Sequence, residues 1–125
     1  MDFTLKKDER LCSQKTIGEL FTSGESFLVF PFKVVFMKNE LPQSFPAQTA
    51  FAVSKRTFKR AVKRNILKRR MREAFRLNKN PFYDQLASKN LHISIIFIFI
   101  GKDILEYNIL EKAMISAFKK TLAKL

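Results

Sequence analysis

The spacing of apolar residues predicts that the chain begins with a helix. Within residues 8–23, apolar side chains recur at roughly helical intervals, at Leu11, Ile17, Leu20 and Phe21. Ser13 is a candidate N-cap, and Gly24 directly follows the last apolar positions, as is typical of a helix end. We therefore predict a first helix that ends near Ser23.

Three later segments have the composition of β-strands. Residues 26–38, SFLVFPFKVVFMK, are rich in β-branched and aromatic residues, and Pro31 predicts a break or an edge position because proline cannot donate a ladder hydrogen bond. Residues 47–54 alternate in part between apolar and polar. Residues 91–100, LHISIIFIFI, are almost continuously apolar, which predicts a central strand or one covered on both faces. This last run is far shorter than the roughly 20 residues of a transmembrane helix.

A helical period returns from Arg60 onward, and we expect that helix to end around Asn78, Asn80 and Pro81. At about 100° per residue, one arc of the helix carries the apolar residues Leu67, Met71, Ala74 and Phe75. The adjacent arc carries polar residues, namely Asn65, Lys68, Arg69, Arg72 and Arg76. One side of this helix is thus predicted to pack, and the side next to it to present cations.

A final helix is predicted within residues 106–125, where apolar positions again recur at helical spacing. The order of elements is therefore helix, strands, helix, strand, helix. This order indicates an α+β fold, and the length of 125 residues favours a single domain that spans residues 1–125.

Charge narrows the choice of partner. The net charge is +13, and residues 55–76 hold 11 of the 24 Lys and Arg residues against one acidic residue, Glu73. Like charges separated by four residues repel each other on an isolated helix, whereas a polyphosphate would pair with each cation. The planar guanidinium of arginine suits phosphate or base contacts, and exposed Phe would stack unpaired bases. We therefore predict a nucleic-acid-binding domain.

Catalytic motifs are missing from the sequence. The carboxylates are scattered and no Gly-rich phosphate loop is present, so we predict no catalytic residue on this chain. A single histidine, His92, and a single cysteine, Cys12, exclude the common zinc sites, and we predict no metal site. One cysteine and an N-terminus without an apolar signal segment favour the reducing cytoplasm. His92 and Cys12 are interpreted as structural.

Residues 54–73, SKRTFKRAVKRNILKRRMRE, resemble the signature of the bacterial ribonuclease P protein component. The matching pairs, at the family's spacing, are Ser54-Lys55, Ala61-Val62, Arg64-Asn65, Lys68-Arg69 and Arg72-Glu73. The Arg10-Leu11 pair and the Phe21-x-x-Gly24 end of the first helix also fit. Two positions depart from the pattern: Ile66 replaces a family arginine, and Ile17 replaces an aromatic residue of the first helix.

The resemblance implies an α/β sandwich with a left-handed βαβ crossover. It also implies a large catalytic RNA as partner, which removes the 5′ leader of precursor tRNA with Mg²⁺ held mainly by the RNA, and a protein that is a monomer within the holoenzyme and is not bound to a membrane. The residues implied for binding the RNA subunit are Lys55, Arg64, Asn65, Lys68, Arg69 and Arg72. The residues expected in the leader-binding cleft are Phe21, Phe32, Val34 and Phe36, where the choice among strand residues depends on the register.

Other functions remain open at this point. A structural RNA-binding protein, for example of the ribosome, would use the same basic helix. A DNA-binding protein is less compatible, because a helix-turn-helix needs a second helix a short turn away and strand-like segments flank this one. An intrinsic protein nuclease is the remaining enzyme alternative.

Overall fold

Four strands form one mixed sheet in a computed structural model that describes residues 5–11, 13–39 and 45–125. The strands are β1 (Glu25–Val29), β2 (Phe32–Lys38), β3 (Ala47–Val53) and β4 (Ile93–Phe99), and their order across the sheet is β1-β2-β4-β3. β1 and β2 are an antiparallel hairpin that turns at Phe30 and Pro31, as the break predicted at Pro31 requires. β4 pairs with β2 antiparallel and with β3 parallel, so its predicted central position is confirmed.

The first helix, α1 (Gln14–Ser23), begins and ends where the sequence predicts. The Ser13 hydroxyl accepts a hydrogen bond from the Thr16 backbone N–H at 3.3 Å and so satisfies one of the free donors of the first turn. At the other end, the Gly24 N–H donates to the Leu20 carbonyl at 2.9 Å. A Cβ at Gly24 would lie 2.5 Å from that carbonyl oxygen, so the close approach requires glycine.

The second helix, α2 (Ala61–Ser88), is 28 residues long and continues past the end expected from the sequence. Pro81 lies inside it, although an internal proline removes one backbone hydrogen bond and costs about 3 kcal/mol. Phe82, Tyr83 and Leu86 are buried beyond the proline and extend the apolar stripe toward the end of the helix. The predicted end was wrong because this packing outweighs the local signal of Pro81. The third helix is α3 (Tyr107–Lys124).

Helices α2 and α3 cover one face of the sheet and form the main core. The fully buried members of this core include Phe32, Leu67, Phe75, Phe97 and Met114. A smaller apolar cluster lies on the opposite face, where Leu20 of α1 and Leu11 pack with Val35 and Ile96. The arrangement is the expected α+β sandwich, with β3, α2 and β4 as a βαβ unit; its hand stays a prediction.

The structure contradicts the cleft assignment for three residues of β2. Phe32, Val34 and Phe36 are buried in the main core beneath α2 and α3, so their side chains cannot line an open cleft. Side chains alternate between faces along a strand, and the opposite face of β2 therefore carries Lys33, Val35 and Met37. The helices select the face with the large aromatic side chains because it buries more apolar area.

The described residues contain neither a membrane-spanning helix nor a cluster of metal-ligating side chains. None of their helices is long and apolar enough to cross a bilayer. No three His, Cys, Asp or Glu side chains converge there as metal ligands would. Cys12 lies outside the described residues.

Candidate nucleic-acid interface

Helix α2 has one buried and one open side, as its periodicity predicts. Leu67, Met71, Ala74 and Phe75 are fully buried against the sheet and α3, which confirms the predicted core arc. On the adjacent side Asn65, Arg69 and Arg72 are exposed, and Arg64, Lys68 and Arg76 are half-buried. We call these six residues the basic strip. A helix anchored along one side in this way holds its cations in a fixed orientation.

The guanidinium of Arg64, one of the cations of the basic strip, is already bound to two backbone carbonyls. Its Nη1 donates to the Phe58 carbonyl at 2.8 Å and to the Lys59 carbonyl at 2.9 Å. These bonds fasten the loop between β3 and α2 onto the first turn of the helix. Exposed Lys55 lies in that same loop. Arg64 therefore organises the loop that carries Lys55 in addition to contributing its own charge.

Three arginines of α2 line one surface groove with a fourth from the start of the chain. The groove has a volume of about 440 Å³ and is lined by Leu5, Arg10, Arg69, Arg72, Glu73 and Arg76. We call it the arginine groove. Arg76 bonds to Glu73, the one carboxylate of the lining. Four cations against one carboxylate leave an excess of positive charge in the groove. A concave surface lined by charges of one sign concentrates the electrostatic field and so attracts anions.

Three cations of the basic strip, Lys68, Arg69 and Arg72, are not neutralised by carboxylates of the described residues. Within residues 5–11, 13–39 and 45–125, no acidic side chain forms an ion pair with Lys68, Arg69 or Arg72. Glu111 of α3 faces α2, but it accepts from two uncharged groups, the Asn78 amide at 3.0 Å and the Tyr107 hydroxyl at 2.8 Å. The Asn78 bond, followed by the Tyr107 bond, lowers the pKa of Glu111. Burial and the bond to Glu111 raise the pKa of Tyr107 to about 12.

The start of the chain is fixed against α2 by a buried ion pair that the sequence did not predict. The Lys79 ammonium lies 2.6 Å from Glu9 Oε2, and the Tyr83 hydroxyl donates to the same oxygen at 2.6 Å. Burial, followed by the bond to Glu9, raises the pKa of Tyr83. Nothing local in the sequence marks these residues as partners, because they lie far apart along the chain.

The face of the sheet away from α2 and α3 is only partly covered. One row of neighbouring positions runs across all four strands on that face: Leu28, Lys33, Ile98 and Ala52. Leu28 is 61% exposed and Lys33 is exposed, whereas Ile98 and Ala52 are half-buried. Phe21, at the end of α1, is 60% exposed and is the one predicted cleft residue that remains open to solvent. We call this row together with Phe21 the open sheet face.

Comparison with known proteins gives one consistent result. The family model described as Ribonuclease P matches residues 5–122. A ribonuclease P protein component of Porphyromonas gingivalis is 35% identical over 112 residues, which cover 90% of this chain and 82% of that protein. A ribonuclease P protein component of Chlorobium phaeobacteroides is 35% identical over 106 residues, covering 78% of this chain and 73% of that protein.

Solved structures share the fold. The RNase P protein of Staphylococcus aureus superposes with a TM-score of 0.74 at 22% identity, covering 92% of this chain and 96% of that one. The RNase P protein of Thermotoga maritima superposes with a TM-score of 0.72 at 24% identity, covering 90% of this chain and 96% of that one. Because these structures are less than 25% identical to the chain, their similarity shows the fold alone. The family assignment rests on the family model and on the sequence matches.

Proposed function

The chain belongs to the ribonuclease P protein family, and from that premise we propose that it assists an RNA subunit in removing the 5′ leader of precursor tRNA. In this proposal the protein is part of an endoribonuclease, and the bond-breaking chemistry resides in the RNA. The observation that carries the proposal is the two-sided character of α2, which buries Leu67, Met71 and Phe75 and leaves Asn65, Arg69 and Arg72 exposed.

The basic strip is the surface that docks on the RNA subunit. Arg69 and Arg72 each offer a planar fork that meets two phosphate oxygens, and the Asn65 amide adds a donor and an acceptor. Lys68 contributes a point charge. Lys55 extends the surface through the loop that Arg64 fastens to α2. Binding is favourable because each cation that pairs with a phosphate releases condensed counterions and relieves repulsion along the strip.

The open sheet face is the surface for the single-stranded leader. Phe21 and Leu28 present apolar area on which unpaired bases stack. Lys33, the cross-strand neighbour of Leu28, supplies a cation for the RNA backbone. Ile98 and Ala52 continue the row toward the end of β3, after which the chain enters the loop with Lys55. This assignment keeps Phe21 from the cleft predicted by the sequence and replaces Phe32, Val34 and Phe36 with residues of the opposite face.

The metal ions of the reaction belong to the RNA subunit in this proposal. Mg²⁺ ions bound to RNA stabilise charge on the attacking and leaving oxygens of a phosphodiester. The protein acts electrostatically instead. Its cations reduce the repulsion between enzyme RNA and substrate RNA, a task that diffuse Mg²⁺ otherwise performs.

Reconstitution of leader removal tests the proposal. The purified chain, a bacterial ribonuclease P RNA and a 5′-labelled precursor tRNA are combined at low Mg²⁺, with the protein alone and the RNA alone as parallel reactions. We expect efficient leader removal only when both components are present. Cleavage by the protein alone would show an intrinsic protein nuclease.

A second measurement distinguishes the proposal from a structural role in the ribosome. The tagged chain is recovered from bacterial cells, and the RNA bound to it is sequenced. We expect ribonuclease P RNA and precursor tRNAs among the bound species. Recovery of ribosomal RNA alone would contradict the proposal.

A further inference from the structure

Arg10 lies between two buried anchors on a short segment at the start of the chain. On one side, Glu9 is 0% exposed and bonds to Lys79 and Tyr83 of α2. On the other side, Leu11 packs into the small cluster beneath α1, and its backbone N–H donates to the Thr49 carbonyl of β3 at 2.9 Å. Arg10 itself is exposed and lines the arginine groove. Both neighbours of Arg10 in the sequence are thus immobilised while its side chain points to solvent.

The three bonds to Glu9 make this arrangement specific. One carboxylate oxygen accepts from the Lys79 ammonium and the Tyr83 hydroxyl, and the other accepts from the Lys6 backbone N–H at 3.1 Å. A buried ion pair contributes little net stability, because desolvation of both charges offsets their attraction. An apolar pair would close the same space, but it would not fix the segment at one register along α2 as a charged pair with directional bonds does.

We propose that Glu9 is a positioning residue for RNA binding, whose buried bonds to Lys79 and Tyr83 hold Arg10 in place as the fourth cation of the arginine groove. The groove takes one or two backbone phosphates of the RNA subunit, and Arg10 is the phosphate ligand that the N-terminal segment contributes beside Arg69 and Arg72. The inference rests on the proposed function and adds two features to it. One is a phosphate ligand from the N-terminal segment, and the other is the set of bonds from Glu9 to Lys79 and Tyr83 that orients this ligand, which we call the latch.

The RNA subunit is the source of the phosphate because the groove is continuous with the basic strip. Arg69 and Arg72 belong both to the strip and to the groove lining. An RNA backbone that follows the strip therefore reaches the groove that Arg10 lines. The leader, by contrast, is assigned to the open sheet face, and none of the residues of that face lines the groove.

The test measures affinity for a ribonuclease P RNA transcript as a function of salt. Arg10→Gln removes the proposed phosphate ligand, and Lys7→Gln is the matched control, because Lys7 is an exposed cation of the same segment that does not line the groove. We expect Arg10→Gln to lower the salt slope by about 0.9. Its affinity deficit should therefore shrink about threefold between 50 and 200 mM salt. Lys7→Gln should match the wild type in slope.

The latch is tested by combining variants. Glu9→Gln should weaken RNA binding about as much as Arg10→Gln, and the double variant should bind no more weakly than Arg10→Gln alone. Tyr83→Phe, which removes one donor to Glu9 and keeps the ring in the core, should act in the same direction. Thermal melting shows whether each variant folds. If Glu9→Gln does not fold, Tyr83→Phe tests the latch in its place. If Tyr83→Phe weakened RNA binding as much in the Arg10→Gln background as in the wild type, the latch would affect binding through the stability of the fold and not through Arg10, which would contradict the proposal.

Other outcomes have equally definite meanings. Equal salt slopes for Arg10→Gln and Lys7→Gln, with normal wild-type binding, would overturn the groove and leave the proposed function intact. A wild-type chain that fails to bind the transcript would overturn both. A short single-stranded leader oligonucleotide serves as the second probe, and we expect Arg10→Gln to bind it like the wild type. An effect of Arg10→Gln confined to that oligonucleotide would contradict the assignment to the RNA subunit.

Discussion

The Lys79 ammonium nitrogen lies 2.6 Å from a carboxylate oxygen of Glu9, a residue 70 positions earlier in the chain, and both side chains are buried. The pair joins the N-terminal segment to the second half of α2, at the position where the sequence predicts the end of that helix. It therefore links two parts of the molecule that local sequence patterns treat separately. Arg10, the residue that follows Glu9, lines a groove with Arg69 and Arg72 of the basic strip, and we propose that the buried pair holds it there.

Removal of one partner of this pair should be costly. Lys79→Met leaves the Glu9 carboxylate buried without its cation, and we expect the free energy of unfolding to fall by about 3–5 kcal/mol. The double variant Glu9→Gln/Lys79→Met contains no buried charge and should recover part of that loss. Urea unfolding measures both. Lys112→Met, at an exposed position of α3, is the matched control and should change stability by less than about 0.5 kcal/mol. A Lys79→Met variant as stable as this control would contradict the buried pair.

The two tyrosines should resist ionisation in the folded protein. Burial and bonds to carboxylates raise the pKa of Tyr83, and raise that of Tyr107 to about 12. The chain has two tyrosines and no tryptophan, so absorbance at 295 nm reports tyrosinate without interference. At pH 10.5 we expect little tyrosinate in the native protein and more than half ionisation in urea, since the unfolded pKa is about 10.

The sign of the pH effect on stability follows from the same pKa values. Between pH 10 and 12 the folded state holds protons that the unfolded state has lost, so stability falls as the pH rises through this range. Tyr83→Phe should leave one titration with a midpoint near 12, from Tyr107. A native midpoint near 10 for both tyrosines would contradict the bonds to Glu9 and Glu111.

Adjacent residues of β2 should respond in opposite ways to substitution. Phe32→Ala removes a fully buried ring from the main core, and we expect a loss of about 3–5 kcal/mol in the free energy of unfolding. Lys33→Gln changes an exposed side chain of the open sheet face and should leave stability within about 0.5 kcal/mol. Urea unfolding of both variants tests the register directly. Equal losses would show that the two faces of β2 are not distinguished as described.

Phe21 should affect the leader and little else. Phe21→Ala removes an exposed ring from the open sheet face, and one base stacked on an aromatic side chain contributes about 1–3 kcal/mol. We expect the reconstituted enzyme to bind precursor tRNA with a single-stranded leader about 5- to 150-fold more weakly, and mature tRNA unchanged. Equal effects on both RNAs would place Phe21 outside the leader surface.

Periodicity was sufficient to predict the two sides of α2. Leu67, Met71 and Phe75 recur at the helical period, and the cations fill the neighbouring arc, so a helical projection separates them without knowledge of the rest of the fold. The resemblance to the family then predicted that these cations bind an RNA subunit. The central position of β4 followed in the same way, from its nearly continuous apolar run.

The register of β2 could not be predicted because its sequence does not alternate. Val34, Val35, Phe36 and Met37 are all apolar, so either face is suitable for a core, and the choice depends on which face the helices cover. The predicted end of α2 was wrong for a similar reason. Pro81 is a local signal for a helix end, whereas the packing of Phe82 and Leu86 that continues the helix is a tertiary interaction. The Glu9–Lys79 pair could not be predicted, because nothing in the local sequence distinguishes Lys79 from a surface lysine.

The magnesium dependence of leader removal is the most direct test of the central claim that the exposed cations of α2 assist an RNA enzyme. Cleavage of precursor tRNA by a ribonuclease P RNA is measured against Mg²⁺ concentration with the wild-type chain, with Arg69→Gln/Arg72→Gln, and with the charge-matched control Lys112→Gln/Lys119→Gln on α3. We expect the wild type and the control to shift the curve to lower Mg²⁺, and the α2 variant to shift it much less. Identical curves with and without the wild-type chain, or equal shifts for the α2 and α3 variants, would contradict the account.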